Sequence, residues 1–435
     1  MNANQLLITD ATLVDTATGA QTAGDILIVD GLIAEAGAGL RLQAPEARRH
    51  AAGGCLVSPG FIDMHVHLRE PGQEAKETIA TGCAAAVAGG FTTICCMPNT
   101  SPALDSDSQI EFVYKQAASA GRCAVLPFGA ITKGRQGLEL AEMALMREAG
   151  AIGFSDDGVG VGSAAVMLKA FQYAKMLNAL ISQHCEEPTL SGGAMHAGPT
   201  AARLGIAGLP AAAEELMIAR DLILNRGVNA RYHVQHISTA GAVELVRHAK
   251  ATGQAVTAEV SPHHLLLSDE ACGQYDANCK MNPPLRTRHD VAACVAGVLD
   301  GTIDCVATDH APHTQEEKEL EFDKAPFGIV GLETALGLYA RALLAPGKLT
   351  WPALLNKMST RPAQILQLTD RGTLRPKTRG DLTIIDPHAL WKVDPAAFHS
   401  KGRNTPFAGW ELKGRVMATV VAGKIVYQHG AGRLE

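Results

Sequence analysis

The sequence contains little charge and no cluster of basic residues. Charged residues make up 19% of the 435 residues, too few for a disordered chain, whereas hydrophobic residues make up 47%, enough for a large buried core. The net charge is −6 and the lysines and arginines are scattered, which argues against a nucleic-acid surface or an anionic membrane as the partner. We therefore expect a globular protein that binds small molecules or other proteins.

The sequence also lacks a cysteine pair of the zinc-ribbon type and a long hydrophobic run. None of its ten cysteines forms a Cys-x-x-Cys pair, so we interpret them as small buried apolar residues. No apolar run is long enough to span a bilayer, and no basic start precedes an apolar segment near residue 1. We expect neither a membrane helix nor a signal peptide, and a location in the reducing cytoplasm.

The middle of the chain alternates between apolar stretches and helical segments, which favours a parallel sheet in an α/β fold. Segment 210–226 has the features of one such helix, with Pro210 at its start, Glu214 and Glu215 in its first turn and Gly227 just beyond its end. Eight such units predict a closed (β/α)8 TIM barrel over residues 58–366. The predicted strands lie near residues 61–68, 91–97, 123–129, 151–154, 179–184, 230–237, 255–260 and 302–308.

Both ends of the chain carry short apolar runs that are separated by turns. An isolated hairpin is only marginally stable in water, so we expect residues 1–57 and 367–435 to combine into one small composite β-sandwich domain. The glycine-rich segment 191–210 is instead interpreted as a long loop, with a lid and a packing surface between subunits as open alternatives.

A His-x-His pair, His65 and His67, ends the first predicted barrel strand. Side chains two residues apart on a strand point to the same face, about 6 to 7 Å apart. Both imidazoles can therefore bind one ion, and zinc is commonly bound by such ligands. The pair alone is equally compatible with two partly buried histidines that bind nothing, so further ligands are needed to decide.

Polar residues follow four other predicted strands at their C-terminal ends, where (β/α)8 barrels place functional groups. They are Asp156 and Asp157 after strand four, His184 after strand five, His236 after strand six, and Asp309 after strand eight. Together with the His-x-His pair, this set is too large for one tetrahedral ion and fits two divalent ions that share a hydroxide and a bridging carboxylate. Such a centre activates water and polarises a carbonyl for hydrolysis. We interpret Asp309 as the general base that later returns the proton to a leaving nitrogen.

Two longer motifs contain these residues, one over residues 59–72 and the other over residues 307–313. Both resemble signatures of the amidohydrolase superfamily and, within it, of the class I dihydroorotases. Further stretches with the same resemblance lie at residues 97–100, 259–265, 280–286 and 326–328, so it spans nearly the whole chain. The resemblance implies a reversible, zinc-dependent cyclisation of N-carbamoyl-L-aspartate to L-dihydroorotate in de novo pyrimidine (UMP) biosynthesis.

The resemblance also implies two zinc ions per chain, bridged by Asp157 and a hydroxide. The implied ligands are His65, His67 and Asp309 for one ion, and His184 and His236 for the other. Many relatives bridge their metals with a carbamylated lysine, whereas strand four here ends in Ser155, Asp156 and Asp157. Spacing alone leaves both aspartates open as the bridge. The class I pattern favours Asp157, with Asp156 as the fallback.

The substrate carries a carboxylate that must be held while its ring amide is attacked. Arg69 can bind this carboxylate through two parallel hydrogen bonds, and Asn99 and His313 complete the clamp without a second fixed charge. The alternative for Arg69 is a surface ion pair with Glu70. The family assigns the clamp in the same way. The substrate-binding residues that the resemblance implies are His67, Arg69, Asn99, Asn282, His313, Phe327 and Gly328.

Four of the remaining histidines lie in or near the stretches already described, but the metal count does not require them. His263 and His264 follow strand seven and could line the mouth of the barrel, and His310 could support a neighbouring ligand. His196 lies in the glycine-rich segment. We interpret all four as structural.

Two alternative functions remain open at this point. One is another cyclic amidohydrolase, a hydantoinase, dihydropyrimidinase or allantoinase, against which the missing lysine bridge and the carboxylate clamp argue. The other is an inactive barrel that serves as a partner subunit of aspartate transcarbamoylase, against which the complete ligand set argues. An active enzyme that also docks onto a transcarbamoylase stays open, and we expect a homodimer.

Overall fold

The computed structural model describes residues 5–430. The strands, in chain order, are β1 (Gln5–Val14), β2 (Gln21–Val29), β3 (Leu32–Gly37), β4 (Arg48–Ala51), β5 (Leu56–Pro59), β6 (Phe61–Val66), β7 (Phe91–Cys96), β8 (Ala124–Pro127), β9 (Leu180–Gln183), β10 (Met195–His196), β11 (Gly208–Leu209), β12 (Arg231–Val234), β13 (Val256–Val260), β14 (Cys305–Val306), β15 (Leu382–Lys392), β16 (Glu411–Val421) and β17 (Lys424–Gln428).

The α-helices in the same range are α1 (Ile79–Ala88), α2 (Asp107–Ala120), α3 (Met143–Glu148), α4 (Ala164–Met176), α5 (Pro199–Leu204), α6 (Ala211–Asn225), α7 (Ala240–Ala251), α8 (Pro262–Leu266), α9 (Arg288–Asp300), α10 (Gln315–Lys318), α11 (Ala335–Tyr339), α12 (Trp351–Leu355) and α13 (Arg361–Leu366). Short 3-10 turns occur at Leu40–Leu42, Lys133–Arg135, Pro188–Leu190, Asp269–Gln274, Ala277–Cys279 and Pro395–Ala397, and π-helical turns at Ala340–Leu344 and Asn356–Thr360.

Strands from both ends of the chain form one eight-stranded sheet. Its order is β17-β16-β15-β5-β1-β2-β3, and β4 pairs with β1. Strand β5 joins the strands of the N-terminal segment to those of the C-terminal segment, because it runs parallel to β1 and antiparallel to β15. Alternate residues of these strands, including Ile8, Ile28, Ile384 and Val420, pack into one buried cluster. The composite β domain therefore has a core to which both ends of the chain contribute.

Eight parallel strands close into a barrel, as predicted. Strands β6, β7 and β8 form one part, and β9, β12, β13 and β14 form another. Phe154 connects the two parts through bridges to Gly129 and Ile181, and a bridge between Val66 and His310 closes the ring. In the predicted fourth strand Phe154 forms these bridges, and Ile152 and Ser155 add backbone hydrogen bonds to the carbonyls of Pro127 and Gly129.

The barrel has two layers of core. Residues from several strands, including Ile62 of β6, Phe128 after β8, Leu180 of β9 and Cys305 of β14, pack together with α13 inside the barrel. A larger cluster lies between the strands and the surrounding helices. Burial of apolar surface on both faces is what a parallel barrel requires, and it leaves the strand ends to carry the polar groups.

The helix predicted over residues 210–226 is confirmed as α6, with Pro210 directly before its first residue. The prediction of a long loop over 191–210 is wrong in part. Helix α5 lies within it, and strands β10 and β11 pair in parallel across it. The glycines indicated a loop, but Gly208 is required by the strand pairing itself. A Cβ on Gly208 would lie only 2.4 Å from the Ala197 backbone, so the close approach requires glycine there.

Nine of the ten cysteines are buried, Cys55 is partly buried, and all ten are free thiols, in agreement with their interpretation as small apolar residues. Among the helices of residues 5–430, none has the length and the apolar character needed to cross a bilayer.

Candidate active site

A cavity of about 160 Å³ opens where the barrel strands end. Of the described residues, it brings together ten that the sequence predicted for the site. They are His67, Arg69, Asn99, Asp157, His184, His236, Asn282, Asp309, His313 and Phe327. His65 lies fully buried behind this lining, and Gly328 is not part of it. These residues follow seven of the eight barrel strands, which explains how positions far apart in the sequence converge.

Asp157 stands among four histidines. Its Oδ1 lies 3.2 Å from His65 Nε2 and 3.9 Å from both His184 Nδ1 and His236 Nε2, and its Oδ2 lies 3.6 Å from His67 Nε2. The carboxylate is almost fully buried. It therefore faces both halves of the predicted ligand set at once.

The ligand set has two halves on either side of Asp157. Asp309 with His65 and His67 forms one half, and His184 with His236 forms the other. Asp309 Oδ1 lies 3.0 Å from His67 Nε2 and 3.6 Å from His65 Nε2. His184 Nδ1 lies 3.0 Å from His236 Nε2. Each half thus places nitrogen and oxygen donors around a common point.

The donor set fits divalent metal ions. Donors around a tetrahedral zinc ion at about 2.0 to 2.2 Å are about 3.3 to 3.6 Å from one another, close to the separations found here. In addition, His65 Nε2 and Asp157 Oδ1 are buried and have no hydrogen-bond partner among the described residues. Leaving such atoms without a partner is costly in a folded protein, and a bound cation would satisfy both.

The electrostatics of the cluster are mutually dependent. Burial disfavours a charge on His65, yet the facing carboxylates of Asp157 and Asp309 raise its pKa well above the usual range. Burial likewise disfavours the Asp157 carboxylate, but the surrounding histidines lower its pKa well below the usual range. The pKa of His236 is lowered by burial and by His184 and His65. The carboxylates thus favour positive charge at this point of the barrel.

Asp156 has a different environment from its neighbour. Its Oδ1 accepts hydrogen bonds from the backbone N–H groups of Ile131 (2.8 Å) and Thr132 (3.0 Å), and its Oδ2 accepts one from the Thr132 hydroxyl. The side chain therefore fastens the segment after β8 and lies away from the histidines.

Glu259, at the end of β13, orients His65 from behind. Its Oε1 lies 2.8 Å from His65 Nδ1, so that nitrogen donates and Nε2 keeps its lone pair toward the cavity. Although burial opposes the charge, hydrogen bonds from His233 and His65 lower the pKa of Glu259 to about 2. Glu259 had no predicted role, although a carboxylate within an apolar strand is a usable signal in the sequence.

Asp63 of β6 is a second buried carboxylate without a predicted role. It accepts hydrogen bonds from the His65 N–H (3.1 Å) and from the Thr308 hydroxyl (2.6 Å). Burial raises its pKa to about 7. Asp63 thus ties the strand that carries His65 to the segment that carries Asp309.

Asn99 is bonded to two of the predicted metal ligands. Its Oδ1 lies 2.9 Å from His67 Nδ1, and its Nδ2 donates to Asp157 Oδ2 at 3.1 Å. The bond to Nδ1 leaves His67 Nε2 free to face Asp309. A second N–H of the Asn99 amide remains for a ligand in the cavity.

Arg69 is buried, so the alternative of a surface pair with Glu70 is not supported. Its Nε donates to the Pro312 carbonyl at 3.1 Å, and its Nη2 lies 3.3 Å from His313 Nε2. Burial lowers the pKa of the Arg69 guanidinium to about 10, and burial together with Arg69 lowers the pKa of His313 to about 2. The pair therefore presents one cation and one neutral imidazole at neutral pH.

Gly328 lies next to this pair, at a φ of 153°. A Cβ at this position would lie 2.8 Å from the His313 ring and 2.6 Å from the Ala311 carbonyl oxygen. Any side chain would therefore displace His313. Glycine at position 328 leaves the space that the His313 ring occupies.

Three site residues have a strained backbone. Arg69, His236 and Asp309 have positive φ angles of 61°, 27° and 48°. Such conformations are costly for residues other than glycine and concentrate at functional sites. This strain is independent support for a functional cluster.

The four histidines interpreted as structural from the sequence are bonded to neighbouring groups outside the cavity. His263 and His264 both contact the Ser261 hydroxyl, and His264 also bonds to the Pro283 carbonyl. His310 Nδ1 accepts from the Gly331 N–H, and His196 lies 3.3 Å from Arg286. None of the four lines the cavity.

A buried cluster of histidines and carboxylates at the mouth of a (β/α)8 barrel defines a metal-dependent amidohydrolase. In agreement, the Amidohydrolase family model matches residues 325–427 and the Dihydro-orotase-like model matches residues 54–242. A dihydroorotase from Pelotomaculum thermopropionicum is 53% identical over 98% of this chain and 99% of its own, and one from Caldanaerobacter subterraneus is 47% identical over 98% and 97%. The chain belongs to the dihydroorotase family, hydrolases that act on a cyclic amide, and this membership implies a divalent metal.

Solved structures support the fold. The L-hydantoinase of Arthrobacter aurescens covers 99% of this chain and is itself covered to 98%, with a TM-score of 0.88 and 28% identity. A D-hydantoinase from a Thermus species gives a TM-score of 0.81 and 26% identity, covering 98% of this chain and 96% of its own. The higher identity to dihydroorotases makes the hydantoinase alternative the less supported one.

Proposed function

We propose that this chain is a two-zinc dihydroorotase that interconverts N-carbamoyl-L-aspartate and L-dihydroorotate in de novo pyrimidine biosynthesis. The observation that carries the proposal is the position of Asp157 among four histidines, with Asp309 and a buried arginine lining the same cavity. A metal cluster alone indicates hydrolysis. The buried Arg69 beside it indicates a substrate with a carboxylate.

The ligand assignment follows the two halves of the cluster. His65, His67 and Asp309 would hold one zinc ion, His184 and His236 the other, and Asp157 would bridge them. When bound, the ions lower the pKa of water and polarise the ring carbonyl. Glu259 and Asn99 support this assignment, because each leaves a ligand nitrogen free on the cavity side.

Asp309 is the proposed proton carrier. Its carboxylate accepts the proton of the attacking water and gives it to the ring nitrogen as the C–N bond breaks. In the synthetic direction the terminal ureido nitrogen of carbamoyl aspartate attacks the side-chain carboxyl carbon and gives its proton to Asp309. Asp309 then passes the proton to the leaving oxygen, so that a C–O bond breaks and water is released as the ring closes. Asp63 accepts hydrogen bonds from Thr308, the residue directly before Asp309. These bonds fix the Asp309 carboxylate beside His67.

The substrate carboxylate is held by Arg69, Asn99 and His313, which line the same cavity. Arg69 donates to it through its guanidinium, and Asn99 and His313 add neutral hydrogen-bonding groups. Asn282 and the backbone at Phe327 and Gly328 contact the ring. Burial of the clamp removes water that would compete for the same hydrogen bonds.

The function is tested by comparing substrates. Purified, zinc-loaded protein is expected to remove the absorbance of dihydroorotate and to act far more slowly on dihydrouracil or hydantoin, which lack the carboxylate. Faster hydrolysis of either of these would contradict the assignment. Turnover of dihydroorotate only after addition of aspartate transcarbamoylase would instead show a dependent subunit.

Arg69→Ala is expected to raise the Michaelis constant for dihydroorotate by at least about tenfold, because the variant loses charge-assisted hydrogen bonds to the carboxylate worth roughly 1.5 to 3 kcal/mol. The zinc content is expected to stay unchanged. Steady-state kinetics with Arg288→Ala as the control, an exposed arginine paired with Glu270, provide the measurement. An unchanged Michaelis constant would remove Arg69 from the clamp.

Lys318→Met is expected to raise the Michaelis constant for dihydroorotate several-fold. The buried Lys318 Nζ donates to the carbonyls of Pro326 (2.9 Å) and Gly328 (3.1 Å), on either side of Phe327, and burial lowers its pKa to about 7. Loss of both bonds releases the segment that contacts the ring. Lys324→Met, an exposed lysine near the same segment, is the control; equal constants for both variants would contradict the anchoring role.

The assembly, the compartment and the domain boundaries are also proposals. We propose a homodimer in the cytoplasm, supported for the compartment by ten free thiols, which a reducing environment preserves. We divide the chain into a β-sandwich domain of residues 1–57 and 367–435 and a barrel of residues 58–366. Light scattering of the purified chain, with and without aspartate transcarbamoylase, tests the dimer and the partner.

A further inference from the structure

Glu186 lies two residues after His184 and has no role in the reaction as described so far. Its Oε2 accepts a hydrogen bond from Asn282 Nδ2 at 2.7 Å and lies 3.3 Å from His184 Nε2. The side chain is 15% exposed, at the edge of the cavity. One carboxylate oxygen therefore contacts a proposed metal ligand and a proposed substrate contact at the same time.

The contact determines which atom of the Asn282 amide is available to a ligand. A carboxylate only accepts hydrogen bonds, so it binds the NH2 end of the amide and excludes the flipped arrangement. The opposite atom, Asn282 Oδ1, is buried and has no hydrogen-bond partner among the described residues. Because Asn282 lines the cavity, the structure leaves one unsatisfied acceptor there.

The same oxygen determines the tautomer of His184. His184 Nε2 lies 3.3 Å from this carboxylate oxygen and 3.4 Å from Asn282 Nδ2. Because the charged carboxylate can only accept and is the stronger partner, Nε2 donates to it and Nδ1 keeps its lone pair. Nδ1 is the atom that lies 3.0 Å from His236 Nε2. Glu186 thus accepts a hydrogen bond from the ring nitrogen of His184 that faces away from the metal site, as Glu259 does from His65.

We propose that Glu186 is a positioning residue that directs Asn282 Oδ1 toward a ring N–H of the substrate and His184 Nδ1 toward the metal. This inference rests on the proposed dihydroorotase function. Dihydroorotate has ring N–H donors, which an acceptor recognises, whereas a flipped amide would oppose one N–H with another. Glu186 acts on recognition through Asn282 and not by touching the substrate.

Glu186→Ala is the direct test, with Glu187→Ala as the control. Glu187 is the next residue, and its carboxylate bonds to Thr189 instead of to the site. At saturating zinc, Glu186→Ala is expected to raise the Michaelis constant for dihydroorotate by about tenfold while kcat stays within about threefold. Glu187→Ala is expected to match the wild type, and a Michaelis constant for Glu186→Ala within twofold of that control overturns the inference.

A double-mutant cycle separates positioning from general damage. If Glu186 acts through Asn282, the variant Glu186→Ala/Asn282→Ala has the Michaelis constant of Asn282→Ala alone, whereas independent effects would multiply. Glu186→Gln retains an acceptor oxygen and is expected to recover most of the loss. Multiplying effects, or no recovery in Glu186→Gln, contradict the proposal.

Zinc retention is the second readout and does not depend on activity. Loss of the partner of a metal-bound histidine typically weakens metal binding by about 10- to 100-fold, so Glu186→Ala is expected to lose zinc to a chelator more readily than Glu187→Ala. Equal retention overturns the His184 part of the inference. If the wild type and Glu187→Ala bind two zinc ions and hydrolyse dihydroorotate, the proposed function stands whatever Glu186→Ala does; if the wild type does neither, both proposals fail.

Discussion

Asp309→Asn is expected to fold and to retain metal, yet to hydrolyse dihydroorotate at least about 10²-fold more slowly, the usual scale of a lost general base. Asparagine has nearly the shape of aspartate and tolerates the positive φ of 48° at this position. It can keep a donor oxygen near His67, but it cannot take up a proton. The measurement is kcat at saturating zinc, together with zinc per chain.

Asp300→Asn is a suitable control for this variant. Asp300 ends helix α9, outside the cavity lining, and its side chain pairs with Arg247 at the surface. Its turnover is expected to equal that of the wild type. If Asp309→Asn also retains wild-type turnover, Asp309 is not the proton carrier.

Asp157→Ala has the second large expected effect, on metal binding itself. This carboxylate lies within 3.9 Å of a nitrogen from each of four histidines. Its removal leaves the positive charge of both metal ions without the shared ligand, so zinc per chain is expected to fall from two to one or fewer after gel filtration, and turnover with it. Elemental analysis of the eluted protein gives the count.

The neighbouring Asp156 provides a contrast within the same segment. Asp156→Ala leaves the Ile131 and Thr132 donors without an acceptor, which costs roughly 1 to 3 kcal/mol for each buried group. We expect a lower melting temperature but two zinc ions in the folded protein. Two zinc ions in Asp157→Ala, or their loss only in Asp156→Ala, would mean that the bridge is assigned to the wrong aspartate.

The barrel could be predicted because its strands are apolar runs with polar residues at one end. Parallel strands bring these ends to one face, so His65, His184 and His236 converge although long segments separate them. The predicted fourth strand is short but pairs with both neighbours. Phe154 forms the two bridges, and backbone hydrogen bonds to the β8 segment extend from Ile152 to Ser155.

The groups that orient the ligands could not be read from local patterns. Glu259 is 194 residues from His65, and Asn282 is 96 residues from Glu186, so only the folded chain brings each pair together. Spacing also left Asp156 and Asp157 equivalent, since both follow the same strand. The structure distinguishes them by what surrounds them: backbone donors around Asp156 and imidazoles around Asp157.

The central claim, a two-zinc centre that hydrolyses dihydroorotate, is tested most directly by titrating the metal-stripped protein with zinc while dihydroorotate turnover is followed. We expect no turnover without metal and a rise that reaches its plateau at two zinc ions per chain, because we assign one ion to each half of the cluster. A plateau at one zinc ion per chain, or turnover by the metal-free protein, would contradict it.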